Sequence, residues 1–205
     1  MAKLELFANS KFPTNLMLRK AIHISGFLVP LLYIQFLGHY LVFTMLCLVT
    51  IIYLTSEVIR KYGMNLPLFS SVTRKASKSV FEMNHFVTAP IAFTLGIIVS
   101  LLFFPPPIAY TSIAVLTLGD GFAGIFGRII GKNSIFFNRK KTLEGTICGF
   151  ACAFIGSLLF VNPLKALVAV SVGMLAESLP LPIDDNLTIP LSTGITLIAF
   201  LYCIP

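Results

Sequence analysis

Seven apolar runs of bilayer length, with basic residues gathered on alternate connections, leave this chain few possible folds. The runs are read at Leu16–Leu37, Tyr40–Ile59, Phe86–Phe104, Ile108–Ile130, Leu143–Val161, Leu164–Pro180 and Ile189–Ile204. A membrane-spanning helix needs about 20 apolar residues, with a range of ~17–25. Strands of a membrane barrel would be shorter and would alternate in polarity. Charged residues make up 11% of the chain, against about 25% in globular domains, which is too few to cover a soluble surface. The expected fold class is all-α: a polytopic transmembrane helix bundle of about seven spans, forming one integral membrane domain over residues 1–205.

The basic residues set the topology. Lys3, Lys11, Arg19 and Lys20 precede or open the first run. Arg60, Lys61, Arg74, Lys75 and Lys78 follow the second, and Arg128, Lys132, Arg139, Lys140 and Lys141 follow the fourth. With seven spans, these fourteen of the fifteen Lys and Arg share one side, and Lys165 alone lies opposite. The positive-inside rule makes that side cytoplasmic, with the N-terminus inside. Cytoplasmic loops are then expected at 60–85, 131–143 and 181–188. Within the first of these, Leu66, Phe69, Val72, Arg74, Lys75 and Lys78 suit a helix lying on the membrane.

The net charge of +7 follows loop parity and suits anionic lipid. No nucleic-acid-binding module accompanies it. No cleavable signal is expected, because the first run lacks a small-residue cleavage site and leads straight into a second span. Cys47, Cys148, Cys152 and Cys203 all sit in apolar runs, as small apolar residues do. The size of the chain and the lack of an organelle-targeting tail lead us to expect a prokaryotic cytoplasmic membrane.

Chemistry concentrates between Asp120 and Gly145, DGFAGIFGRIIGKNSIFFNRKKTLEG. Asp120 lies about ten residues inside its run, a depth of about 15 Å at 1.5 Å per residue. A carboxylate there costs at least ~2.5–3.5 kcal/mol and requires a partner, a wet cavity or a cation. Gly119 and Gly121 flank it, so the helix is expected to break there. Gly119, Ala123, Gly127 and Gly131 repeat every four residues, a pattern of close helix packing that equally permits backbone to approach phosphate. Arg139, Lys140 and Lys141 supply mobile positive charge suited to phosphate. Thr142 can cap the next helix, whose first amides also favour anions. Glu144 and Gly145 open that helix.

Two further groups fall on the same side. Arg19, Lys20 and His23 begin the first run, with Arg19 and His23 on one face. Glu177 precedes Pro180 and Pro182, and Asp184, Asp185 and Asn186 follow. Paired acids with an Asn supply hard oxygen ligands for Mg²⁺, although a solvated turn explains the same triplet.

Taken together, these blocks resemble a known family. Asp120, Ala123, Gly127 and Gly131, followed by Lys140-Lys141-Thr142 and Glu144-Gly145, are similar to the CTP-binding signature of the polytopic lipid-alcohol kinases. That family includes dolichol, phytol and farnesol kinases and the yeast-type CTP-dependent diacylglycerol kinase. The Arg19-Lys20-x-x-His23 opening and the Asp184–Pro190 segment also resemble it, in the same order. The related phosphatidate cytidylyltransferases share the first elements, but their C-terminal His-Gly-Gly is missing here. The resemblance implies transfer of the γ-phosphoryl group of a nucleoside triphosphate, CTP, to the hydroxyl of a membrane-embedded lipid alcohol, a dolichol, polyprenol or other isoprenoid. It implies Mg²⁺ held by Asp120 with Asp184 or Asp185, and one of these last two as base. Lys141 and Lys140 would hold phosphate with Arg19, Lys20, His23, Thr142 and Asn186, and Gly127 and Gly131 would allow its close approach. A cytidylyltransferase, a diacylglycerol-type kinase and a membrane transporter are the competing readings. The sequence does not fix the oligomeric state.

Overall fold

The computed structural model describes residues 14–32, 38–64 and 87–203. Helices follow one another as α1 (Thr14–Ser25), α2 (Leu28–Leu32), α3 (Gly38–Lys61), α4 (Ala89–Phe103) and α5 (Pro106–Ala114). A π-helical turn (Val115–Asp120) leads without a break into α6 (Gly121–Ile129). A two-stranded hairpin, β1 (Ser134–Ile135) and β2 (Asn138–Thr142), precedes α7 (Leu143–Ser157), α8 (Pro163–Ser178) and α9 (Asp185–Cys203). Helices thus fill the described parts of all seven apolar runs. The one addition is the antiparallel hairpin, which occupies the expected loop 131–143.

Local chemistry explains the boundaries. Pro106 and Pro163 lie in first turns, where a missing N–H costs nothing. Thr142 and Asn162 cap α7 and α8, accepting from Gly145 N at 3.3 Å and Lys165 N at 2.9 Å. The first run is divided between α1 and α2 at Gly26. A β-carbon there would stand 2.6 Å from the Phe93 ring, so only glycine allows this approach. The acidic segment differs from expectation: Asp185 and Asn186 form the first turn of α9 rather than part of a loop. Pro190 lies inside α9, so the Asn186 carbonyl has no helical donor four residues on.

The α5–π–α6 helix runs through the centre of the bundle. Its Ile113, Val115 and Leu116 meet Ile97 of α4, Ala153 of α7, Val170 and Met174 of α8 and Ile189 of α9, all essentially inaccessible. The expected break around Asp120 is instead a widening to π geometry, a rare form often found at functional sites. Helix α7 crosses this axis on small residues. A β-carbon on Gly145 would lie 2.6 Å from the Ala123 carbonyl, and one on Gly149 would lie 2.5 Å from the Gly119 carbonyl.

Among the described residues, two helices are long and apolar enough to cross a membrane. Tyr40–Lys61 has 22 residues and a mean hydropathy of 2.1, and Pro106–Ile129 has 24 residues and 1.4. The first is peripheral, packing mainly on α4 and exposing Leu41, Met45, Leu48, Val49 and Leu54. The surface-helix residues expected at 66–78 lie outside the described residues, as do Glu82 and His85.

Candidate functional site

One cavity of about 990 Å³ gathers most of the polar residues singled out in the sequence. α1 contributes Arg19, Lys20 and His23. The π turn ends in Asp120, and α6 supplies Ala123, Gly127 and Arg128, with Gly131 just beyond. The hairpin brings Arg139, Lys140, Lys141 and Thr142. The end of α8 and the start of α9 bring Glu177, Asp184, Asp185 and Asn186. Residues more than 150 positions apart thus meet at one end of the bundle.

Asp120 is buried and fully engaged. Lys20 Nζ donates to its Oδ2 and to its main-chain carbonyl, both at 2.8 Å. His23 Nδ1 stands 3.4 Å from the same Oδ2 without hydrogen-bond alignment, and the imidazole lies against the Phe93 ring at 4.2 Å. Lys141 Nζ stands 3.9 Å from Asp120 Oδ1. The bonds to Asp120 therefore come from Lys20 and the contact from His23, three residues apart on α1, while Arg19 lines the cavity.

Lys141 is the hub of the opposite side. Its ammonium donates to Glu177 Oε1 and, at 2.9 Å, to Asp185 Oδ2. Burial alone would lower its pKa, but the carboxylates of Asp120, Glu177 and Asp185 outweigh burial and hold it above its ordinary value. Three carboxylates from three elements thus converge on one ammonium. Glu177 Oε2, by contrast, is buried without a partner. Among the described residues, Arg19, Arg128, Arg139 and Lys140 make no ion pair.

Several expected residues serve the framework. Gly145 packs against α6 instead of lining the cavity. Glu144 lies outside the cavity and accepts from Asn133 N at 3.1 Å and Asn133 Nδ2 at 2.8 Å, closing the base of the hairpin. Asp184 Oδ1 accepts from Asn186 N at 2.9 Å, and Asn186 Nδ2 reaches the Ala89 carbonyl of α4 at 3.4 Å. Gly127 and Gly131 do both jobs. They line the cavity, and a β-carbon on either would come within 2.8 Å of Thr142 Oγ1. Gly124 makes room for the Lys20 stem, which a β-carbon would meet at 2.2 Å. Glu57 is buried away from the cavity and ties α3 to the start of α4, accepting from Arg60 Nη2 at 2.7 Å and Val87 N at 3.1 Å.

The sequence reading gave Arg128 a topological role only and noted Glu177 without a binding role; both line the cavity. Glu177 carried the same signal as Asp120, an acid inside an apolar helix. Arg128 sits within the glycine row.

An arrangement with six cationic side chains against four carboxylates in one cavity suits a polyanion bound beside carboxylates that can take a cation. In class, the molecule is a helical bundle with one cavity of concentrated, mixed charge at its end. The kinship is narrower. The chain is 31% identical over 172 residues to the probable phytol kinase, chloroplastic, of Zea mays, covering 73% of this chain and 54% of that protein. It is 30% identical over 148 residues to phytol kinase 1, chloroplastic, of Arabidopsis thaliana, covering 63% and 47%. With the Arabidopsis thaliana farnesol kinase, chloroplastic, it shares 29% over 132 residues, covering 56% and 43%. Phytol and farnesol kinases, members of the polyprenol and isoprenol kinase family, are thus homologues of this chain. The chain spans about half the length of the curated relatives it matches. No family model matches it, and no solved structure does. The chloroplast assignment of the relatives conflicts with the expectation of a prokaryotic membrane.

Proposed function

We propose that this protein is an integral membrane kinase of seven spans that transfers the γ-phosphoryl group of CTP to the hydroxyl of an isoprenoid alcohol. One observation carries the reading: Arg19, Arg128, Arg139 and Lys140, which have no ion pair among the described residues, line the same cavity as a cluster of four carboxylates, at the end of the bundle that bears the hairpin. The names of the homologues, phytol and farnesol kinase, support the acceptor class. The seven helical stretches and the charge parity of their connections support the spans, with the N-terminus on the basic side.

In this mechanism Arg19, Arg128, Arg139 and Lys140 neutralise the triphosphate. Phosphoryl transfer demands chiefly such positioning and charge compensation. Mg²⁺ enters this reading through the family resemblance: Asp120, Glu177 and Asp185 offer hard carboxylate oxygens, but they are gathered on an ammonium, and among the described residues no three Asp, Glu, His or Cys are placed to hold a metal ion. Asp184 lines the same cavity and has no cation partner among the described residues. It accepts the alcohol proton as the alcohol oxygen attacks the γ-phosphorus and the bond to the β-phosphate oxygen breaks, leaving CDP. The prenyl chain reaches the cavity laterally, past the apolar rim of Leu16, Ala89 and Ile183.

The test is a double-label assay with polyprenol, phytol, farnesol and diacylglycerol as acceptors. Label from γ-labelled CTP should appear on a prenyl alcohol. Incorporation of α-label with release of pyrophosphate would identify a cytidylyltransferase, and label on diacylglycerol alone would move the acceptor class.

A further inference from the structure

The hairpin between α6 and α7 turns on residues that a turn in water does not favour. Ile135 pairs with Asn138, so Phe136 and Phe137 form its two-residue loop. Such loops ordinarily take Asn, Asp or Gly, which tolerate positive φ. Neither Phe has a positive φ, and nothing in the turn itself calls for an aromatic ring. Phe136 is 95% exposed and Phe137 52%. The loop does not stand off the bundle. Asn138 Nδ2 donates at 3.1 Å to the carbonyl of Ser178, the last residue of α8. The aromatic pair therefore lies level with the end of a helix that exposes Leu175 and is followed by exposed Leu179 and Leu181. Between Asp120 and Glu144 the chain holds five cations, Arg128, Lys132, Arg139, Lys140 and Lys141, and no acid.

We propose that Phe136 and Phe137 are seated in the interface of an anionic bilayer, and that the lipid thereby holds the basic strand of the cavity in place. An aromatic tip with cations behind it matches the order of a leaflet, acyl chains first and phosphates next. The exposed leucines at the end of α8 continue the same apolar surface. A second copy of the chain suits this face poorly, because a two-fold contact would set the five cations against the same five. β2 runs from the tip to Thr142 and carries Arg139, Lys140 and Lys141 along the cavity. Asn138 ties the start of that strand to α8, and the bilayer holds the loop beyond it. The hairpin is thus a strap between membrane surface and site.

This inference rests on the membrane-spanning reading above, but its test reads no kinase activity. The chain has no Trp, so a single introduced Trp reports its own surroundings. Phe136→Trp is made in the full chain, with Leu48→Trp on the exposed face of α3 as a reference. Each is placed in nanodiscs of phosphatidylcholine and phosphatidylglycerol, with bromines either near the headgroup end of the acyl chains or near the chain ends. Phe136→Trp emission should be quenched more by the shallow bromines than by the deep ones, and hardly by iodide. Leu48→Trp should show the reverse bromine order. Adding Phe137→Asp to Phe136→Trp should expel the tip, so that lipid quenching falls and iodide quenching rises. Quenching of Phe136→Trp by iodide alone would place the tip in water, and quenching by neither agent would place it under protein, a second copy included. Either result beside an embedded Leu48→Trp, or a tip unmoved by Phe137→Asp, would overturn the proposal alone. A Leu48→Trp untouched by brominated lipid would overturn the spanning reading, and this inference with it.

Discussion

Replacing Lys20 with Met tests the buried pair on which the α1 wall depends. Lys20 is 4% exposed and donates at 2.8 Å to both Asp120 Oδ2 and the Asp120 carbonyl. Met fills a similar volume beside Gly124, so the loss is electrostatic. Removing one partner of a buried pair costs about 3–5 kcal/mol, because the other charge is left uncompensated. Lys141 at 3.9 Å and His23 at 3.4 Å remain near Asp120, which places the expected loss near the lower end, about 3 kcal/mol. For a chain of this size 1 kcal/mol moves the melting point by about 2–4 °C, so the expected drop is about 6–12 °C. The chain has no Trp, so unfolding is best followed with a thiol-reactive dye on its free cysteines, Cys47, Cys148 and Cys152. The decisive comparison is Lys20→Met with Asp120→Asn, which removes both charges. It should melt well above Lys20→Met alone. A single variant within about 2 °C of wild type, under 1 kcal/mol on the same scale, or a double variant no better than the single, would refute the assignment.

Other perturbations separate framework from chemistry. Gly145→Ala sets a β-carbon against the Ala123 carbonyl and the Gly127 backbone; overpacking of this kind costs about 1–3 kcal/mol, read as a lower melting point. Asn162→Ala and Thr142→Ala each remove a helix cap worth about 0.5–2 kcal/mol. Both should lower stability, but only Thr142→Ala, beside the cavity, should also raise KM for nucleotide. The raised Lys141 pKa gives a signed dependence on pH. Its stabilisation is complete below the ordinary value of 10.5 and is lost as pH climbs through the higher folded value. Melting points measured from pH 9.5 upward should therefore fall in wild type more steeply than in Lys141→Met.

Much of this architecture was legible because bilayer-length apolar runs are a local signal. Tyr40–Ile59 and Phe86–Phe104 fall within a few residues of α3 and α4. The site was legible as composition: Asp120, the lysine pair and the acidic triplet each stood out. Their pairing was not. Lys20 reads in sequence as a snorkelling side chain, and its bond to Asp120 spans 100 positions, for which no local pattern exists. The π turn was equally hidden, since Gly119 and Gly121 suit a break as well as a widened turn. Glu144 opens α7 as expected, but its bonds to Asn133 were hidden, because a short motif does not encode the hairpin between them.

The close meeting of α4 and α9 has a consequence for how this site can vary. Pro190 leaves the Asn186 carbonyl without a helical donor, and Gly96 sits so near it that a β-carbon would come within 2.1 Å. The start of α9, and with it the backbone of Asp185 and Asn186, is therefore located by main chain against main chain. The α1 side is located by side chains instead: Lys20 beside Gly124, Ile24 beside Gly121 and His23 on the Phe93 ring. Sequence drift should thus be absorbed unevenly around the cavity. The acidic side can exchange neighbouring side chains while Gly96 and Pro190 persist. The α1 wall is held by side chains packed on glycines, so loss of the Lys20 ammonium should loosen its polar end while Ile24 against Gly121 keeps the helix seated.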